Sequence, residues 1–533
     1  MQDVYDPPEQ LNIADLFLEE RIHAGHGDRV AIVDDDGEWT YAQVRQIAHD
    51  FSRVLLRLGV CQEQRVIVAL PDSVAFAGAI FGVLKIGGVV VMVNPAFARE
   101  QVAALLDYVR PTVAVIHSSV LAAYEAALGD AENPAELLVV GGPGDHGHED
   151  ESEGEEWPVF EEERELDPEG FLEIPGGLPT TPTHRDDPAI WLFSGGTTGR
   201  PKAVVQTHRS FAYTTECYGR RVLGYNENDT TLSVPKLFFG YATGSNLFFP
   251  FSVGGKAILF AEKPTADVLF EKIARHRPTI LINVPTLINR MVAHADAASQ
   301  DLSCLRFATS AGEALPVPLY HRWRELFEVD LLDGLGTAEM WHVFVTNRPG
   351  DVKPGTLGRV VEGFEICVRD DEGRDLPDGE VGRLWVRGGA RAICYWQNMD
   401  KTQDAFRGEW FVGGDLVCRD ANGYLTYCGR GDDVLKVAGK WLVPSEVESC
   451  LLEHADVREC AVVGVTDDDG LMKPYAFVLA DEGTDAEALA GDVKRFSLER
   501  LEPYKHPRRV IVLEAFPRTH LGKVDRGQLK TMV

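Results

Sequence analysis

Ser194-Gly195-Gly196-Thr197-Thr198-Gly199-Arg200-Pro201-Lys202 follows directly on the apolar run Ile190-Trp191-Leu192-Phe193. Three glycines, three hydroxyl side chains and two cations share these nine positions. Glycine permits positive φ and turns successive N–H groups into an anion-binding nest. Ser194, Thr197 and Thr198 add neutral donors, and Arg200 or Lys202 adds charge for an oxyanion. A flexible surface turn rarely gathers so many donors. The Walker pattern, Gly-Lys-Ser/Thr after four intervening residues, is absent. The stretch therefore reads as a strand running into a phosphate loop of another kind.

Further motifs follow in order. They are Gly334-Leu335-Gly336-Thr337-Ala338-Glu339, Gly382-Arg383-Leu384-Trp385-Val386-Arg387-Gly388 and Trp410-Phe411-Val412-Gly413-Gly414-Asp415. Next come Gly429-Arg430-Gly431-Asp432-Asp433-Val434-Leu435-Lys436-Val437-Ala438-Gly439 and Pro517-Arg518-Thr519-His520-Leu521-Gly522-Lys523. With the nonapeptide, this series resembles the adenylate-forming superfamily of acyl-CoA synthetases, luciferases and adenylation domains. Chance agreement of six ordered motifs across most of the chain is negligible.

The resemblance implies a large N-terminal α/β domain over residues 1–431, with helices layered on β-sheets. It implies a small, mobile α+β domain over residues 432–533, with the hinge at Asp432. It also implies ATP, Mg²⁺ and coenzyme A. ATP contacts fall on Ser194, Thr197, Thr198, Gly199, Lys202, Gly312, Glu313, Asp333, Gly334, Thr337, Asp415 and Arg430. Glu339 is the expected Mg²⁺ ligand, Mg²⁺ preferring hard oxygen donors and bridging phosphate oxygens. Lys523 is the expected adenylation lysine, a long ammonium on a glycine-flanked loop that can reach across a cleft. Lys436 is expected to act in thioester formation, and Gly439 to leave room for the pantetheine arm of CoA. Two departures stand out. Many relatives have Thr where this chain has Ala338, and Thr-Gly-Asp where it has Gly413-Gly414-Asp415. Each removes a hydroxyl donor worth about 1 kcal/mol if unreplaced.

Lys236-Leu237-Phe238-Phe239-Gly240-Tyr241-Ala242-Thr243-Gly244 and Glu339-Met340-Trp341-His342-Val343-Phe344 resemble the benzoate–CoA ligase branch. So do Ser310-Ala311-Gly312-Glu313-Ala314-Leu315-Pro316 and Thr346-Asn347-Arg348-Pro349-Gly350-Asp351. That resemblance assigns Gly240, Tyr241, Gly336, Trp341 and His342 to an aromatic-acid pocket. Benzoate, hydroxybenzoate and aminobenzoate remain open. Phe238, Phe239 and Phe249 are expected mostly in the core. The alternative is a stand-alone adenylation enzyme that loads an aryl acid onto a separate carrier protein.

Composition agrees with an enzyme of this kind. The 533 residues suffice for two domains and a large core. A net charge of −31 argues against nucleic acid or an anionic membrane as partner. Residues 144–170 carry thirteen acids against one arginine, −12 of that charge, and read as a solvated loop. Nine cysteines without Cys-x-x-Cys spacing indicate reduced thiols in a cytoplasmic protein. A homodimer is compatible with the sequence. The apolar stretch Ala75–Val93 carries Lys85 and four glycines, and reads as a buried helix leading into a buried strand rather than a membrane span.

Overall fold

The structure is a computed structural model. It describes residues 5–141, 178–194, 202–431, 435–437, 440–466, 471–480, 484–518 and 524–533. The acidic segment 144–170 lies outside them.

Two large sheets sandwich a pair of helices. The first of these, Tyr41–Arg57, places Val44, Ile47, Ala48, Phe51 and Leu55 on one buried face at helical spacing. Thr40 caps it: its hydroxyl accepts from Gln43 N, and Gln43 Oε1 accepts from Thr40 N at 2.8 Å. The second, Val74–Lys85, is buried on every side, as its unbroken apolar sequence requires. Close packing of the pair needs glycine. A Cβ at Gly78 would stand 2.4 Å from Ile47 Cγ2, and one at Gly82 would stand 2.8 Å from the Ala48 carbonyl oxygen. The strand Val89–Met92 follows, so the stretch is a helix and a strand within the protein, as expected. No helix among the described residues is long and apolar enough to cross a membrane.

The seven-stranded sheet runs, in spatial order, Cys394–Tyr395, Lys202–Thr207, Pro188–Ser194, Val89–Met92, Arg65–Ala69, Val113–His117 and Glu136–Val140. Its central strands are parallel and almost wholly apolar, the pattern of a sheet covered on both faces. The nine-stranded sheet carries Phe307–Ser310 and Leu331–Gly336 side by side and parallel. The loops after those two strands contain Gly312 and Glu339, so candidate site residues sit beyond the carboxyl ends of parallel strands. A third, antiparallel sheet pairs Trp410–Arg419 with Leu425–Arg430, which sets Asp415 opposite Arg430.

Beyond residue 440 a smaller unit has its own sheet, Glu459–Thr466, Met472–Leu479 and Arg509–Leu513. Helices Pro444–Leu451 and Ala486–Arg500 pack Val447, Leu451 and Val493 against Val462, Ala476 and Val478. The architecture is α/β, as expected. Element ends differ from the sequence reading by one or two residues. The apolar run Ala257–Phe260, for example, reads as a strand, and its paired part is Lys256–Ile258. The sheet bonding still continues through Leu259 N to Val33 O at 2.8 Å.

Candidate active site

Pro188–Ser194 and Lys202–Thr207 form an antiparallel pair with Ser194 opposite Lys202, so the glycine-rich stretch joins two adjacent strand ends. Thr197, Thr198 and Gly199 lie outside the described residues, as do Asp432, Gly439 and Lys523. The backbone of Lys436 belongs to the strand Leu435–Val437, opposite Trp441.

A cavity of about 260 Å³ opens beside Ser194. Its walls are Met92, Leu192, Phe238, Phe239, Gly240 and Tyr241 on one side, and Ala311, Gly312, Gly336, Thr337, Trp341 and His342 on the other. Phe238 and Phe239 are only half-buried and face this space, with ring centroids 4.4 Å apart. That corrects the expectation that both are core. Phe249, fully buried against Tyr218, Trp341 and His342, is core as expected. The tight turn before Tyr241 leaves Phe238 and Phe239 just ahead of a short helix, Gly240–Thr243, where Phe238 packs at the edge of the main core.

Tyr241 and His342 meet across 101 residues of sequence, where His342 Nε2 lies 3.1 Å from the Tyr241 carbonyl oxygen. The same nitrogen is 3.2 Å from Ser245 Oγ, while Nδ1 is buried without a partner among the described residues. Burial pushes His342 down to about 3, so the imidazole is neutral. The Tyr241 hydroxyl is fixed by Thr309 Oγ1 at 2.6 Å, and burial raises its pKa well above the usual phenol range. Trp341 adopts φ 59° and ψ −45°, outside the wells open to a bulky residue. That turn packs the indole against Phe211, with centroids 4.4 Å apart, and leaves His342 beside Tyr241. Gly336 makes the turn possible, since a Cβ there would lie 2.5 Å from the His342 carbonyl oxygen.

The polar end of the site is built from Glu339, Tyr395 and Lys202. Glu339 is 7% exposed and accepts a 2.7 Å hydrogen bond on Oε1 from the Tyr395 hydroxyl. Burial, then the adjacent carboxylate, raises the Tyr395 phenol, which therefore stays a donor. Lys202 Nζ stands 4.9 Å from the centroid of the same ring. Gln206 Nε2 donates to the Ala338 carbonyl oxygen at 2.6 Å and so holds the backbone next to Glu339. Neither Tyr395 nor Gln206 carries a motif signal. Tyr395 reaches the site because Cys394–Tyr395 pairs with Val205 and Val204, two residues beyond Lys202.

The two departures differ in their surroundings. The Thr337 hydroxyl accepts from Met340 N at 3.3 Å and caps the 3₁₀ turn Ala338–Met340, while Ala338 contributes its carbonyl oxygen to Gln206. At Gly413 a Cβ would meet only ordinary contacts, the nearest at 3.5 Å, so packing does not force its lack of a side chain. Gly414 is tighter, with the Arg430 guanidinium 3.0 Å from where its Cβ would be. Arg430 Nη1 lies 3.5 Å from Asp415 Oδ1, and Asp415 is buried where Arg430 is exposed.

Asp333 is buried with Oδ1 unpartnered among the described residues. Burial pushes its carboxyl up to about 8, outweighing the Ser310 hydroxyl and Gly334 N–H that act the other way. Glu313 accepts from the Thr286 hydroxyl at 2.8 Å, and Gly312 holds φ 87° with open space where a Cβ would be. Among the described residues no three His, Cys, Asp or Glu side chains cluster as a metal cage. A single buried carboxylate near the glycine-rich stretch nonetheless suits Mg²⁺, which takes one or two protein oxygens and completes its shell with water and substrate phosphates.

Ser194 and Thr337 thus line one cavity, the buried Glu339 carboxylate lies two residues beyond Thr337, and Asp415 pairs with Arg430 on the third sheet. Residues 18–396 match the AMP-binding enzyme family and residues 446–523 its C-terminal domain. The chain belongs to this family. It is 37% identical to a benzoate–CoA ligase of Thauera aromatica over 529 residues, 98% of this chain and 96% of that one. A crystal structure of a benzoate CoA ligase from Burkholderia xenovorans LB400 superposes with TM-score 0.85 at 37% identity, covering 98% and 100% of the two chains. The anthranilate CoA ligase AuaEII in complex with anthranoyl-AMP superposes with TM-score 0.89 at 34% identity, covering 99% and 98%.

Proposed function

We propose that this chain is an ATP-dependent aryl–CoA ligase that converts benzoate or a small substituted benzoate to its CoA thioester through an aryl-adenylate. The observation that carries this reading is the cavity, apolar and aromatic along its walls, ending on a neutral histidine, and opening at Ser194 and Thr337. A cavity of about 150 Å³ already accepts benzene, so 260 Å³ suits a benzoate ring with a substituent. The likeness to benzoate–CoA ligases over nearly the whole chain supports the same class of acid, and the complex with anthranoyl-AMP supports tolerance of a ring substituent.

In the first half-reaction a carboxylate oxygen bonds to the α-phosphorus of ATP, the bond to the bridging α–β oxygen breaks, and pyrophosphate leaves. Two anions approach, so donors and cations must converge on them. Ser194 with Thr197, Thr198 and Gly199 would donate to the phosphates, Lys202 would pair with them, and Lys523 would meet the oxygens at the reacting phosphorus. Glu339 would hold Mg²⁺, which when bound neutralises phosphate charge. Asp415, ordered by Arg430, would accept from the ribose hydroxyls. The segment from Gly312 and Glu313 to Asp333 and Gly334 would flank the base. Tyr241 and His342 would seat the ring in a dry pocket, where a neutral imidazole orients the acid without competing for its charge.

In the second half-reaction the CoA thiolate bonds to the acyl carbon and the acyl–phosphate oxygen bond breaks, releasing AMP. The proposal includes rotation of residues 432–533 about Asp432, bringing Lys436 and Gly439 to the site. The test is a screen of aromatic and aliphatic acids by AMP release, with CoA or a carrier protein as acceptor. Turnover with benzoate-sized acids and one thioester per AMP is expected. Preference for aliphatic acids, or AMP release without CoA thioester, overturns the reading.

A further inference from the structure

We infer that Tyr395 is a positioning residue for the nucleotide end of the site, its hydroxyl aiming the Glu339 carboxylate and its ring seating the Lys202 ammonium. The inference rests on the assignment of Glu339 and Lys202 to the nucleotide and its metal. Among the described residues, Tyr395 is the one side chain that hydrogen-bonds the Glu339 carboxylate. A carboxylate withdrawn from water must find partners. A donor on one oxygen alone holds the plane of the group and leaves the other oxygen for a further ligand. Tyr395 is itself immobile. It is 5% exposed, its N–H donates to Thr402 Oγ1 at 3.0 Å, and its ring packs on Phe406 at a centroid distance of 5.4 Å. The Glu339 backbone is pinned from the same strip, Ala392 N donating to its carbonyl oxygen at 2.8 Å. On its other side the ring faces Lys202, at the end of the phosphate loop. One side chain thus sets the spacing between a buried anion and a cation whose strands pair only through the tertiary fold.

Tyr395→Phe keeps the ring and removes the hydroxyl. A charge-assisted hydrogen bond of this kind is worth about tenfold, so the KM for MgATP and the Mg²⁺ midpoint should each rise by about that factor, with the KM for the acid unchanged. Mn²⁺ binding in the presence of a non-hydrolysable ATP analogue, followed by electron paramagnetic resonance, should weaken to the same extent without any turnover. Glu339→Gln is measured alongside, well below the melting temperature of each variant. If Glu339→Gln binds Mn²⁺ as the parent does, the assignment of Glu339 falls and this inference with it. If Glu339→Gln weakens Mn²⁺ and Tyr395→Phe does not, only the inference falls. A Tyr395→Phe protein that is less stable but binds Mn²⁺ normally overturns it as well.

Discussion

The helix pair in the core and the cavity beside Ser194 use the same materials to opposite ends. Both are lined by glycine and aromatic rings. Between the helices every gap is filled, with Ile47 and Ala48 standing where a Cβ at Gly78 or Gly82 would go. Around the cavity Gly336 is as tight, but two other glycines are looser: Gly312 faces open space, and a Cβ at Gly240 would press only on the end of the Leu192 side chain, 3.0 Å away. The charges differ in the same way. Glu19 is held by Lys85 at 2.7 Å and His49 at 3.0 Å. Burial acts to raise its pKa, yet hydrogen bonds from His49 and Lys85 win and hold it at about 2. Among the described residues no cation pairs with Asp333, and burial pushes its carboxyl up to about 8. A charge in the core is compensated within the chain, whereas the site keeps an uncompensated group and empty volume.

Breaking the compensated side should have the largest effect. Lys85→Met leaves the mostly buried Glu19 with His49 and the more distant Arg45, 3.9 Å away, and loss of one member of a buried pair costs about 3–5 kcal/mol. Urea unfolding at pH 7 should register that loss, and it should shrink as pH falls below about 4.5, where the unfolded carboxylate protonates, and vanish near pH 2, where Glu19 protonates in the fold. A loss below 1 kcal/mol at pH 7 would mean that the pair is not needed, and the contrast would fail.

Asp333→Asn tests the uncompensated side. The native carboxyl titrates near 8 against about 4 when unfolded, so it stays protonated in the fold where the unfolded chain has ionised. Its favourable contribution is complete below the unfolded value and is lost as pH rises through the native one, at up to about 1.4 kcal/mol per pH unit. The stability of Asp333→Asn relative to the parent should therefore climb between pH 4 and pH 8 and level off outside that window. A constant difference would show that a partner compensates Asp333 after all.

Filling glycine positions sharpens the contrast in volume. Gly82→Ala drives a methyl group into backbone and should cost about 1–3 kcal/mol, more than its gain in helix propensity. Thermal unfolding gives the figure, and acid selectivity should not move. Gly240→Val should do the reverse. Its melting temperature should stay nearly constant because Leu192 can yield, while kcat/KM for substituted benzoates falls by about ten- to hundredfold. Steady-state kinetics with benzoate, 2-aminobenzoate and 4-hydroxybenzoate decide it. Uniform loss for all acids, with weaker ATP binding, would place Gly240 outside the ring pocket.

The buried run Ala75–Val93 was legible because its signal is local, a long apolar stretch broken only by Lys85 and glycines. The candidate site was legible where it depends on backbone form, as at Gly336 and the strand ends around Ser194. Phe238 and Phe239 were misread because an aromatic residue carries no mark of which way its ring turns. Only the turn before Tyr241 brings them to the cavity. Tyr395 escaped notice because a two-residue strand has no periodicity, and its value comes from pairing with Val204.

By itself the sequence determined the family, the order of its motifs and the α/β architecture, since short-range spacing and glycine placement govern turns and strand ends. The tertiary structure alone decided which groups meet. Tyr395 and Glu339 are 56 residues apart, His342 and Tyr241 are 101 apart, and the opposite fates of Glu19 and Asp333 depend on what packs around each carboxyl. Desolvation and charge pairing act over a few ångströms of space, and strand register rather than sequence distance determines who occupies that space.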